Sequence, residues 1–167
     1  MPTVFSRCTR RAALALLLIA AMPIAAAPAF AFDENATSAV NVDASGLALR
    51  GYDPVAYFTV GRPTVGSPDF TATHEGATYR FASAGNLATF RADPAKYVPA
   101  YGGFCAMGAS FERKFDGDPQ LWRIVDGRLY VNVAEGPHRR WLEDVPGSIQ
   151  RADRNWPRIR HRAPKDL

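Results

Sequence analysis

The stretch LWRIVDGRLYVNV, residues 121–133, limits the fold more than any other part of the chain. Two alternating apolar runs flank Asp126-Gly127. A two-residue loop joining antiparallel strands needs positive φ at both central positions, a conformation that Asp and Gly tolerate. The stretch therefore predicts a β-hairpin closed by a type I′ turn. A second hairpin is predicted over DFTATHEGATYRFAS, residues 69–83, where short runs rich in Phe, Thr and Tyr surround Glu75-Gly76.

Helices account for much of the rest. Ser83 is placed to cap AGNLATFRAD, residues 84–93, which carries Leu87 and Phe90 on one helical face and ends at Asp93-Pro94. Tyr97 is expected to pack back on that face. PHRRWLEDV and SIQRADRNWPRI predict two more helices, divided by Pro146-Gly147. Asp53-Pro54 reads as a turn, in which such an Asp is mostly structural. Residues 105–111 suit either a short helix or a strand. The expected architecture is one small α+β domain, with two β-hairpins and several short helices on a shared core. No internal repeat is read in the chain.

Residues 1–31 have the pattern of a cleaved secretory signal. Arg7, Arg10 and Arg11 form a positive start, an apolar stretch follows, and Ala29-Phe30-Ala31 supplies a small-x-small cleavage site. Thr9-Arg10-Arg11 also resembles a twin-arginine export signal. The expectation is a periplasmic or secreted protein beginning at Phe32, with no membrane span in the mature chain. The signal holds three of the 20 basic residues and none of the 16 acidic ones, so 17 basic residues face 16 acidic ones after it. The sequence pI near 9.3 is a property of the two ends, and a nucleic-acid partner is not expected. Residues 32–47, polar and small, are expected to form a flexible arm, and residues 158–167 a solvated basic tail.

Cys8 leaves with the signal, so Cys105 is the one thiol of the mature chain. An oxidising compartment pairs structural cysteines, and a lone thiol there is buried, metal-bound or held for a partner. It lies in YGGFCAMG, residues 101–108, two positions before Met107.

The segments RGYDPVAYF, GATYRFASAGNLATFRADPAKYVPAYGGFCAMG and LWRIVDGRLYVNV together resemble the YHS domain family, and more closely its exported bacterial single-domain branch. The resemblance covers residues 48–157. It implies transition-metal binding, copper above all, because thiolates suit soft metals. In the family an Asp-Pro-Val turn continues into Cys-Gly-Met, and a Cys-x-x-x-Cys pair sits at the strand-to-helix corner. This sequence has Ala56 at the first position and Ala82 and Asn86 at the corner pair, so all three expected thiols are absent.

The candidate metal ligands that remain are Cys105, Met107 and His74. In a strand Cys105 and Met107 would point to one side; in a helix they would not. The alternative is a metal-free binding module for a small ligand or partner protein, in which Cys105 is core and Met107 fills a gap beside it. A thiol enzyme would need His74 or His138 beside Cys105 to lower its pKa. His138 and His161 are expected at the surface. Binding is favoured over catalysis.

Overall fold

The computed structural model describes residues 32–167, and the signal-like segment lies outside them. The chain is a small α+β protein with two antiparallel two-stranded sheets and short helices. A 3-10 turn over Leu49–Gly51 leads to α1 (Ala56–Thr59). Strands β1 (Ser67–His74) and β2 (Ala77–Phe81) form the first hairpin, followed by α2 (Ala84–Ala92) and α3 (Pro94–Tyr97). A second 3-10 turn over Ala100–Gly103 leads to α4 (Ala106–Ala109). Strands β3 (Asp118–Val125) and β4 (Arg128–Asn132) form the second hairpin, followed by α5 (Glu135–Glu143) and α6 (Val145–Ile159).

This order is one unit built twice, which corrects the reading that the chain has no internal repeat. The first ladder pairs Ser67 with Phe81 and His74 with Ala77; the second pairs Asp118 with Asn132 and Val125 with Arg128. Every partner in the second ladder lies 51 positions after its counterpart, as Asp118 does after Ser67. Both ladders slip at the same place, between Ser67 and Thr71 and between Asp118 and Trp122. Both turns put positive φ on an acid and a glycine: Glu75 and Gly76, Asp126 and Gly127. Helix α5 begins and ends 51 positions after α2. Upstream of the hairpins the spacing becomes 52. The left-handed triplet Leu49-Arg50-Gly51 matches Tyr101-Gly102-Gly103, and the bridge Tyr52–Val65 matches Phe104–Asp116.

Each unit has its own apolar core. Tyr79 and Phe90 centre the first and Tyr130 and Trp141 the second, at equivalent positions. A third cluster joins the units. Leu49 and Tyr57 of the first pack on Leu129 and Val131 of β4, and the Tyr57 hydroxyl donates to the Pro119 carbonyl at 3.0 Å.

Both predicted hairpins form, and the Ser83 hydroxyl accepts the Asn86 N–H at 3.1 Å as the cap of α2. The break between the last two helices falls at Asp144, not at Pro146-Gly147. Pro146 sits in the first turn of α6, where it has no helical bond to lose, and the Asp144 carboxylate accepts the Gly147 N–H.

The N-terminal arm and the basic tail are not free. Val40 and Asn41 are buried. The Asn41 N–H donates to the Gly102 carbonyl, and its side-chain amide to Asp116. At the other end Ala163 is buried and the Lys165 N–H donates to the Glu34 carbonyl. Lys114 fastens both. Its buried ammonium donates to the carbonyls of Ser38, Arg160 and Arg162 at 2.8, 3.2 and 2.9 Å, beneath the Phe104 ring. No helix among the described residues is long and apolar enough to cross a membrane.

Candidate functional site

Residues 106–109 form the short helix α4, and Cys105 is its N-cap. The thiol is 0 % exposed. Its sulfur accepts the Gly108 N–H at 3.3 Å and is also reached by the backbone N–H groups of Val133 and Met107. Burial pushes the thiol pKa up, against the weaker pull of those N–H groups.

The repeat explains this arrangement. Cys105 occupies the place that Asp53 holds in the first unit. Asp53 Oδ1 accepts from the N–H groups two and three residues on, Val55 at 2.8 Å and Ala56 at 3.3 Å. Its Oδ2 accepts from the N–H that follows the second strand, Ala82, at 2.8 Å. Cys105 receives the same three groups at equivalent positions: Met107, Gly108 and Val133. Sulfur is the weaker acceptor, and the deficit is met from the strand. Asn132, which replaces Phe81 of the first unit, accepts the Met107 N–H at 3.1 Å and the Cys105 thiol at 3.6 Å. One buried polar residue has thus moved from the start of the short helix to the end of the hairpin.

Neither histidine activates the thiol. Asn132 stands between Cys105 and His138, its amide nitrogen 3.2 Å from His138 Nδ1. Asn132 donates there, so the ring proton is on Nε2. Burial lowers the His138 pKa, which favours that neutral ring. His138 is half-buried, with its ring partnered by Asn132. His74 lies in the first unit, edge-on to Phe90 at 6.0 Å, while Cys105 belongs to the core of the second. His161 is exposed.

The residues at hand do not fit the soft-metal site that the resemblance implies. Asn86 turns its NH2 toward Asp53 Oδ2 at 2.6 Å, and the Ala82 N–H is committed to the same oxygen. The corner where the family's thiols would meet is closed by a carboxylate and an amide. Cys105 offers one sulfur already engaged by N–H groups. Among the described residues no group of three or more His, Cys, Asp or Glu converges.

What Cys105 and Met107 do share is the wall of a cleft of about 650 Å³. Phe111, Phe115, Val133 and Pro137 line it with apolar surface, and Arg140 is the one charged side chain lining it. Phe111 and Phe115 are 57 % and 45 % exposed, unusual for phenylalanine. The first unit differs at the same point. Pro137 stands where Asn86 stands there, and proline has no side-chain donor with which to bridge to Cys105 as Asn86 bridges to Asp53. Arg140 has no ion-pair partner among the described residues. Sequence reasoning found Cys105 and Met107 but missed Asn132, Phe111, Phe115 and Arg140. The signal for Asn132 was present: it is the polar residue at an inward position of an otherwise apolar strand.

Compared with protein-family models, curated proteins and solved structures, the chain matches none.

Proposed function

We propose that this protein is an exported, YHS-like binding module that takes a small ligand with an apolar body and an anionic end, and uses no metal at Cys105. One observation carries the reading: an apolar cleft of ligand size with a single cation, Arg140, that has no ion-pair partner among the described residues. Ligand sites of several hundred Å³ are mostly apolar, with a few polar groups to fix orientation. Phe111, Phe115 and Met107 would hold the body of the ligand and Arg140 its charge. Cys105 supports the wall; the buried, protonated thiol takes no chemical part. Export rests on the signal pattern of residues 1–31, and N-terminal sequencing of the mature protein should begin at Phe32.

Fluorescence displacement tests the site. Anilinonaphthalene sulfonate should bind the purified protein. Octanoate should displace it, while octylamine should not. Arg140→Gln should weaken octanoate about tenfold, the equivalent of ~1.4 kcal/mol. Equal affinity in wild type and Arg140→Gln would remove the anionic end from the proposal. Tight, stoichiometric Cu(I) binding that is lost in Cys105→Ala would replace the reading with the copper-binding one.

A further inference from the structure

We propose a second binding site at the junction of the two units, built for a small planar organic anion of the aromatic carboxylate class. It is a pocket of about 280 Å³, the volume of roughly nine waters at about 30 Å³ each. It is separate from the cleft beside Cys105 and shares no lining residue with it.

Three cations line it: Lys96 from α3 of the first unit, Arg128 from β4 of the second, and Arg160 just past α6. Glu75 is the only acid among the lining residues. Lys96 and Arg160 have no ion-pair partner among the described residues, and Arg128 pairs with Asp153 at 3.3 Å on the exposed side. The Arg160 Nε is buried without a hydrogen-bond partner. A buried N–H of a cation left unmade is costly, and an acceptor on a ligand would remove that cost.

An independent observation comes from the buried wall. Tyr79 is 1 % exposed, with its ring against Phe90 at 5.2 Å. The hydroxyls of the buried residues Tyr57 and Tyr101 donate to Pro119 and Asp153. That of Tyr79 has no hydrogen-bond partner among the described residues, and Tyr79 lines the pocket. Burial and the nearby Glu75 carboxylate raise its pKa, so the hydroxyl stays protonated and is a donor. The pocket is thus rich in donors and poor in acceptors, the reverse of what a cation needs.

The remaining wall sets the shape. Tyr101 and Trp156 meet edge-on at 5.7 Å, and the Arg128 guanidinium lies over the Tyr101 ring. A flat ring can lie against these aromatics while its carboxylate meets the cations and the Tyr79 hydroxyl.

Benzoate is the probe. Titrated into the purified protein and followed by amide and indole NMR, it should give saturable shifts at Lys96, Gly102, Gly127 and Trp156. Benzylamine, of the same shape and opposite charge, should give none. Tyr79→Phe keeps the ring and removes the hydroxyl alone; it should weaken benzoate at least fivefold. Lys96→Met with Arg160→Met should weaken it at least tenfold, with a thermal midpoint no lower than that of the wild type. The proposal is overturned if benzoate shifts appear only around Met107 to Arg140, if no saturable shifts appear, or if Tyr79→Phe and the double variant bind as wild type does.

Discussion

Asp53 and Cys105 perform one task with different atoms. Each receives the N–H groups that open a short helix and the N–H that follows a hairpin. The carboxylate of Asp53 also holds Asn86, making four bonds in a site with no exposure. Removing it leaves those donors buried and unmade, so Asp53→Ala should cost ~3–5 kcal/mol. Cys105→Ala loses a weak acceptor and a small volume, and Asn132 still holds the Met107 N–H; it should cost ~1–2 kcal/mol. Denaturant midpoints of the two variants measure the order, and an equal or reversed order would break the equivalence of the two residues. The raised pKa and burial of Cys105 predict that iodoacetamide labels it slowly at pH 8 in the native protein and quickly in urea. Sequence alone identified Asp53 as a turn residue. It did not link Cys105 to it, because thiol and carboxylate share no side-chain pattern; only their hydrogen-bond partners match.

At the scale of elements, the hairpins and α2 were legible because their signals are local: Asp-Gly or Glu-Gly between alternating runs, and a serine cap. The duplication was not. Its two copies keep a tyrosine on the second strand, Tyr79 and Tyr130, and an aromatic on the helix, Phe90 and Trp141, but nearly every polar position has changed. Backbone conformation preserved what side chains lost, most clearly in the two left-handed triplets. Gly102 in the second triplet has a further duty. A β-carbon there would lie 1.9 Å from the Ala39 carbonyl oxygen, at the point where Asn41 pairs with the Gly102 carbonyl. Gly102→Ala must therefore displace the N-terminal arm as well as adopt an unfavourable φ of 62°. It should destabilise by ~2–4 kcal/mol. Gly127→Ala, at positive φ with open space around it, should cost ~1 kcal/mol. Thermal unfolding of the pair separates the close approach from the backbone strain.

For the molecule as a whole, the ends were the least legible part. A polar arm and a basic tail look solvated in sequence, and composition says nothing about Lys114, which ties both down through three main-chain carbonyls. Lys114→Met leaves those carbonyls without their donor and should cost ~3 kcal/mol at neutral pH. Burial lowers the folded-state pKa of Lys114 to about 8, below the unfolded value of about 10.4. Between those values the unfolded chain binds more protons, so the wild type gains stability there as pH rises. The stability gap between wild type and Lys114→Met should widen from pH 7 to pH 9.5 in urea titrations; a narrowing gap would contradict this origin. The cleft was illegible for a similar reason. Phe111 and Phe115 flank the same loop, but their exposure and the placement of Arg140 over it depend on how α4 and α5 pack.

The central question is whether the cleft beside Cys105, and not the sulfur itself, is what the protein uses. The most direct measurement is an NMR titration of the purified protein with octanoate, with Cu(I) titrated in parallel. Saturable octanoate shifts are expected at Met107, Gly108, Val133 and Gly136, with Cu(I) bound no more tightly than by Cys105→Ala. Silence of those four amides to octanoate, together with Cu(I) binding that depends on Cys105, would contradict this use of the cleft.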